Sequence, residues 1–243
     1  MPPEQYKRIL LKLSGEALAG SSGCGIDADM ASYFSTRICQ LVERGLEVAL
    51  VVGGGNYFRG ATTGLLMQRP VADQVGMLAT MMNALVMQQA LLNAGQRACV
   101  LSAISMPAVA DRFVAASAVR LLEAGQVVII GGGTGNPYFT TDSAAALRAL
   151  ELGADCFIKA TRVDGVYDAD PECDPTAKRF ASLPYSAVLQ QNLKVLDATA
   201  VTLCREQGLP VHVLDIFEPD SLLRLVQGHQ VGTLIGPEDP KIE

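Results

Sequence analysis

A lysine that closes an apolar run, two glycine clusters and a threonine-rich string ending in aspartate are the parts of this chain whose residue types and spacing could do chemistry. Lys12 lies near the end of Arg8-Ile-Leu-Leu-Lys-Leu13, just before Ser14-Gly15. Gly53-Gly-Gly55 follows Val48-Ala-Leu-Val-Val52, with Arg59 beyond it. Gly131-Gly-Gly-Thr-Gly135 follows Val127-Val-Ile-Ile130 and leads through Asn136 to Thr140, Thr141 and Asp142. Glycine at a strand end lets backbone come close to a ligand, and amides at the start of the next helix point at an anion. Moving a phosphoryl group between two polyanions calls for cations at the bridging and transferred oxygens. It also needs neutral donors on the acceptor, and carboxylates that keep a lysine or a metal in register. These residues include every kind of group on that list. Taken singly they have plainer readings: a tight turn, a solvated strand end, surface charges at Arg59 and Asp73, a helix cap at Asp142. Their joint occurrence at successive strand ends is what favours a site.

Two common phosphate signatures are absent. The chain has no Gly-Lys dipeptide and so no P-loop, and Phe58 and Asn136 occupy the third glycine position of G-x-G-x-x-G. The protein-kinase motifs H-R-D and D-F-G are missing as well.

The elements that must position these groups follow from the hydrophobic pattern. Short apolar runs predict strands over 8–13, 48–52, 98–101, 127–130, 156–159, 211–215 and 232–235. Helical spacing predicts helices from Asp27 to Gly45 and over 72–93, 111–123, 143–152, 185–191, 197–207 and 220–227. Strands alternating with helices make an α/β protein, a largely parallel twisted sheet with helices on both faces. Ligands of such sheets bind at the carboxyl ends of the strands, where both glycine clusters and Lys12 fall. No repeat or linker breaks the chain, so residues 1–243 read as one domain.

Composition narrows the partners. The 243 residues carry 19 Lys plus Arg against 25 Asp plus Glu, a net charge of −6, with 49% hydrophobic residues. Disorder is excluded, and no basic field exists to collect nucleic acid. The uncharged stretch from Gln74 to Gln96 is long enough to span a bilayer, but Thr80, Asn83, Gln88, Gln89 and Asn93 make it a core helix instead, so no membrane partner is expected. Six scattered cysteines without C-x-x-C, and two histidines away from ligand spacing, predict buried thiols in a reducing cytoplasm and no zinc site.

Six strings carry a family resemblance: Lys12-Leu-Ser-Gly-Glu-Ala-Leu18, Gly25-Ile-Asp27, Gly53-Gly-Gly-Asn-Tyr-Phe-Arg-Gly60, Gly76-Met-Leu-Ala-Thr80, Gly133-Thr-Gly-Asn-Pro-Tyr-Phe-Thr-Thr-Asp142 and Lys159-Ala-Thr-Arg-Val-Asp-Gly-Val-Tyr167. In this order, from about Tyr6 to Ile235, the chain resembles the bacterial uridylate (UMP) kinases of the amino acid kinase family. The resemblance implies a three-layer αβα sandwich, a homohexamer, transfer of the ATP γ-phosphate to UMP, Mg²⁺ delivered with ATP, and possible inhibition by UTP. It implies that Lys12 stabilises the transferring group, with Asp142 and Asp197 orienting it. Leu13, Ser14, Gly15 and Gly55 would lie by ATP, Arg59 would bridge the phosphates, and Thr161, Tyr167 and Asp170 would surround the ATP base and ribose. Gly54, Asp73 and the run Thr134, Gly135, Asn136, Pro137, Tyr138, Phe139, Thr140 and Thr141 would hold UMP, Asp73 at the ribose and Thr141 at the phosphate. Gln68-Arg-Pro70, before Asp73, departs from the usual loop. Two other readings remain: a carboxylate kinase of the same fold, and a pyrimidine-nucleotide sensor without turnover.

Overall fold

A computed structural model describes residues 6–58, 67–169, 173–174 and 176–237. In chain order the elements are β1 (Arg8–Leu13), α1 (Gly15–Leu18), α2 (Ala28–Val42), β2 (Glu47–Val52), α3 (Arg69–Asn93), β3 (Ala98–Ser102), β4 (Asp111–Arg112), α4 (Ala115–Glu123) and β5 (Val127–Gly131). Then follow α5 (Thr141–Leu152), β6 (Cys156–Thr161), β7 (Ser182–Pro184), α6 (Tyr185–Gln190), α7 (Ala198–Gln207), β8 (Val211–Asp215), α8 (Ser221–Val226) and β9 (Thr233–Gly236). The strands form one sheet in the order β4-β3-β5-β2-β1-β6-β8-β9-β7, parallel throughout except for the β8–β9 pair.

Two cores, one on each face, account for the layers. Alternation along β1 sends Ile9, Leu11 and Leu13 into one core with α2 and α3, and Leu10 into the other with α4, α5 and α7. Lys12 is two residues from Leu10, so the same period turns it toward the α5 face. Buried on both sides, the central strands read as continuous apolar runs.

Two helix starts lie three or more residues from the sequence pattern, and two short elements were not foreseen. The third helix starts at Arg69 because Pro70 sits in its first turn, where a missing N–H costs nothing. The fourth starts at Ala115, not at 111, because Asp111–Arg112 pairs in parallel with Leu101–Ser102. The short β7 and the one-turn α1 carry too few residues to show a period. Helix α3 is long and apolar enough to cross a membrane by length and composition, yet Met81, Ala84, Met87 and Leu91 pack into the core.

Candidate functional site

The site is built at the carboxyl ends of β1, β2, β5 and β6. Lys12 of β1 and Lys159 of β6 are direct register partners, so their side chains rise side by side from one face of the sheet. Asp142, in the first turn of α5, stands between them. Its Oδ1 lies 2.9 Å from Lys12 Nζ and its Oδ2 2.6 Å from Lys159 Nζ. Burial by itself would raise the Asp142 pKa, but the charges of Lys12 and Lys159 overrule it and hold the carboxyl below its usual range. Burial lowers the Lys159 pKa; Asp142 opposes that and Lys12 adds to it.

Asp142 owes its place to a helix cap. Thr140 Oγ1 accepts from the N–H groups of Asp142 and Ser143 at 3.1 and 3.2 Å, starting α5 so that Asp142 faces the lysines. Asp197 braces this cap: its Oδ2 accepts from the Thr140 hydroxyl, and its Oδ1 accepts from Ser143 Oγ at 2.8 Å and from the Ala200 N–H at 2.9 Å. Asp197, expected beside Asp142 at Lys12, reaches the cluster through this cap and through its charge on Lys159. Asp197 caps α7 and supports the loop before α5, and Lys159 is the second charged partner of Asp142.

The first glycine cluster is pressed against the turn after β1. A Cβ on Gly15 would fall 2.5 Å from the Gly53 carbonyl oxygen and 2.9 Å from the Gly55 nitrogen, so only glycine permits this approach. A buried amide pair holds the cluster from below: Asn83 Nδ2 donates to Asn56 Oδ1 at 2.8 Å and to the Gly53 carbonyl at 2.6 Å. The second cluster is pinned by Thr80, whose hydroxyl oxygen accepts from the Gly132 N–H at 2.8 Å.

Two cavities flank the lysines. The first, of about 580 Å³, is lined by Gly54, Gly55, Asp73, Thr134, Asn136, Phe139, Thr140 and Thr141, all expected, and also by Glu16, Phe58, Arg69, Met77 and Thr80. Gly135, Pro137 and Tyr138 belong to the same loop without lining it. Asp73 faces this cavity with its carboxylate already engaged: Arg69 Nε lies 2.9 Å from both oxygens, and Oδ2 accepts from the Tyr138 N–H at 2.8 Å. Those bonds hold Tyr138 at φ 73°, a left-handed conformation uncommon for tyrosine. The second cavity, of about 600 Å³, contains Thr161 and Tyr167 as expected, with Lys159, Val163, Val166 and the 192–195 segment around them. Leu13 turns its side chain into the core, and its carbonyl accepts from the Gly53 N–H at 2.9 Å. Ser14 caps α1 through the Ala17 N–H. Arg59 and Asp170 lie outside the described residues.

Sequence reasoning missed Lys159 as a site residue, and also Arg69 and Thr80. The signal for Lys159 is its spacing two residues after Phe157, which gives a polar residue at the end of an apolar strand, as Lys12 is two residues after Leu10. Chemically, the arrangement offers buried positive charge beside two cavities, with glycine backbone and threonine hydroxyls lining the first. That suits two phosphorylated ligands meeting end to end.

The model of the amino acid kinase family matches residues 7–215. The chain is 51% identical to a uridylate kinase of Methylococcus capsulatus over 233 residues, 95% of this chain and 97% of that protein. Its fold is similar to a UMP kinase from Bacillus anthracis, with a TM-score of 0.94 and 37% identity over 97% of this chain and 98% of that one. It is also similar to a UMP kinase from Ureaplasma parvum, with a TM-score of 0.89 and 35% identity over 96% of this chain and all of that one (100%).

Proposed function

The chain belongs to the amino acid kinase family, and from that footing we propose that it transfers the γ-phosphate of ATP to UMP, giving ADP and UDP. The observation that carries the reading is the Lys12–Asp142–Lys159 cluster set between two cavities. UMP would occupy the first cavity, with Gly54, Thr134, Asn136, Phe139, Thr140 and Thr141 around it. ATP would place its base and ribose in the second, beside Thr161, Tyr167 and Asp170, with Ser14, Gly15, Gly55 and Arg59 near its phosphates.

The chemistry needs no nucleophilic side chain. A phosphate oxygen of UMP attacks the γ-phosphorus in line, the bond from that phosphorus to the β–γ bridging oxygen breaks, and the electron pair leaves with ADP. Lys12 supports the negative charge on the transferred group, and Asp142 keeps the ammonium aimed at it. Asp73 would meet the UMP ribose by exchanging its Arg69 contact for a hydroxyl.

The donor set fits a divalent ion only as a passenger of the nucleotide. The Asp142 carboxylate is taken by two ammonium groups, and among the described residues no three His, Cys, Asp or Glu gather to hold an ion. Mg²⁺ arriving with ATP would be held by phosphate oxygens and water and would neutralise their charge. We extend the reading to a cytoplasmic homohexamer open to inhibition by UTP. The stripe Leu78, Met82 and Val86 left exposed on α3 supports subunit contacts, and cysteines scattered along the chain without a C-x-x-C pair support a reducing compartment.

The test is ADP release from ATP and Mg²⁺ with UMP, CMP, dUMP, AMP, glutamate or aspartate as acceptor. Turnover with UMP is expected. Turnover confined to an amino acid would replace this reading with a carboxylate kinase, and tight UMP binding without turnover would replace it with a sensor.

A further inference from the structure

Like charges placed directly opposite each other in neighbouring strands repel, and Lys12 and Lys159 are such a pair, both largely buried. Asp142 compensates both. Lys159 makes one more contact, to the backbone carbonyl of Val195. Val195 lies between α6 and α7 and, with Asn192, Leu193 and Lys194, lines the second cavity. The ammonium of Lys159 thus joins the start of α5, whose preceding loop walls the first cavity, to the wall of the second. No other described side chain makes hydrogen bonds to both Asp142 and the 192–195 segment.

Resting on the phosphoryl-transfer reading above, we propose that Lys159 is a positioning residue: it acts through Asp142, fixing that carboxylate against Lys12 and locking the two cavity walls in one register, and does not itself grip a nucleotide. The charged and titratable groups facing it are Asp142 from α5, Lys12 from β1 and Asp197 from the cap of α7; Lys194, Tyr167 and Asp168 line the same cavity. Its bridge to Asp142 requires the protonated ammonium. Burial and the neighbouring Lys12 both favour loss of that proton, so the bridge opens at a pH below the ordinary lysine range.

The test compares wild type with Lys159→Met and Lys159→Arg in steady-state kinetics across pH. It adds calorimetric titration with UMP and with a non-hydrolysable ATP analogue. In Lys159→Met, kcat falls about 100-fold while both KM values and both binding constants stay within about threefold, the pattern of an interaction made in the transition state. In Lys159→Arg, about tenfold of the lost rate returns and the alkaline limb of kcat moves to higher pH, because guanidinium keeps its proton. A folded Lys159→Met enzyme with near wild-type kcat overturns the proposal. So does a rise in the KM and Kd for the ATP site at unchanged kcat, which would make Lys159 a direct ligand. If Lys159→Met does not fold, an unmoved alkaline limb in Lys159→Arg overturns it. A wild-type enzyme inactive with UMP refutes the reaction reading instead, and the titrations still report on Lys159.

Discussion

Asp142 is where the charges of the site are settled. Burial opposes its ionisation, yet two ammonium groups within 3 Å hold it ionised, so the cluster exists only as a set. Replacing Asp142→Asn leaves Lys12 and Lys159 facing each other without compensation. Breaking a buried pair in this way costs about 3 kcal/mol, read as a lower denaturant midpoint. The rate of UDP formation should fall by at least about 100-fold, since Lys12 loses its aim. At this scale much was legible: Lys12, Asp142, Gly54, Thr140 and Thr141 stand where their neighbours in the sequence suggested. Lys159 was not, because its role comes from the β1–β6 register, which no single segment encodes. The hydrogen bonds of Asp197 were hidden for a related reason. An aspartate before a helix can serve as a cap or a charge partner, and only the packing of α5 against α7 shows that it caps α7 and braces Ser143.

The start of α5 shows how an element carries a catalytic group. Thr140 caps the helix, and its hydroxyl is fixed in turn by Asp197. Thr140→Val removes both interactions at nearly constant volume and should cost about 1–2 kcal/mol of stability, measured by urea unfolding. The same change frees Asp142 to drift, so kcat should drop more than the KM for UMP. A loss of UMP affinity with unchanged kcat would show instead that Thr140 serves only as a ligand. The long apolar elements were legible from period alone, since α2, α5 and α7 start within two residues of their expected caps. The segment before α4 was not, because Asp111 looks like a cap in sequence while its backbone is claimed by Ser102 and Leu101 across a parallel edge. The two-residue β4 and three-residue β7 depend on neighbours far along the chain and leave no local trace.

Across the whole molecule, the candidate site occupies the carboxyl ends of interior strands, and the two faces of the sheet carry separate cores. On the opposite face of the sheet from Lys159, His212 of β8 is buried and shares a 2.7 Å hydrogen bond with the Tyr6 hydroxyl, and burial lowers its pKa to about 4. The unfolded chain takes up this proton at the ordinary value of 6.5, so it binds more protons than the native state between pH 6.5 and about 4. Stability is therefore complete above pH 6.5 and declines as pH falls through that window, by about 3 kcal/mol in all. His212→Gln should flatten this part of the unfolding profile, and an unchanged slope would show that other groups govern it. The alternation of strands and helices made the layered architecture legible, whereas the antiparallel β8–β9 turn-back was hidden because parallel and antiparallel buried strands share one apolar pattern. The central claim is that Lys12, held by Asp142 between two nucleotide cavities, carries the transfer of phosphate to UMP. Its most direct test is Lys12→Ala, assayed for UDP formation beside UMP binding by calorimetry. The account predicts a loss of about 100- to 1,000-fold in kcat with UMP affinity nearly unchanged, and turnover that survives the substitution would contradict it.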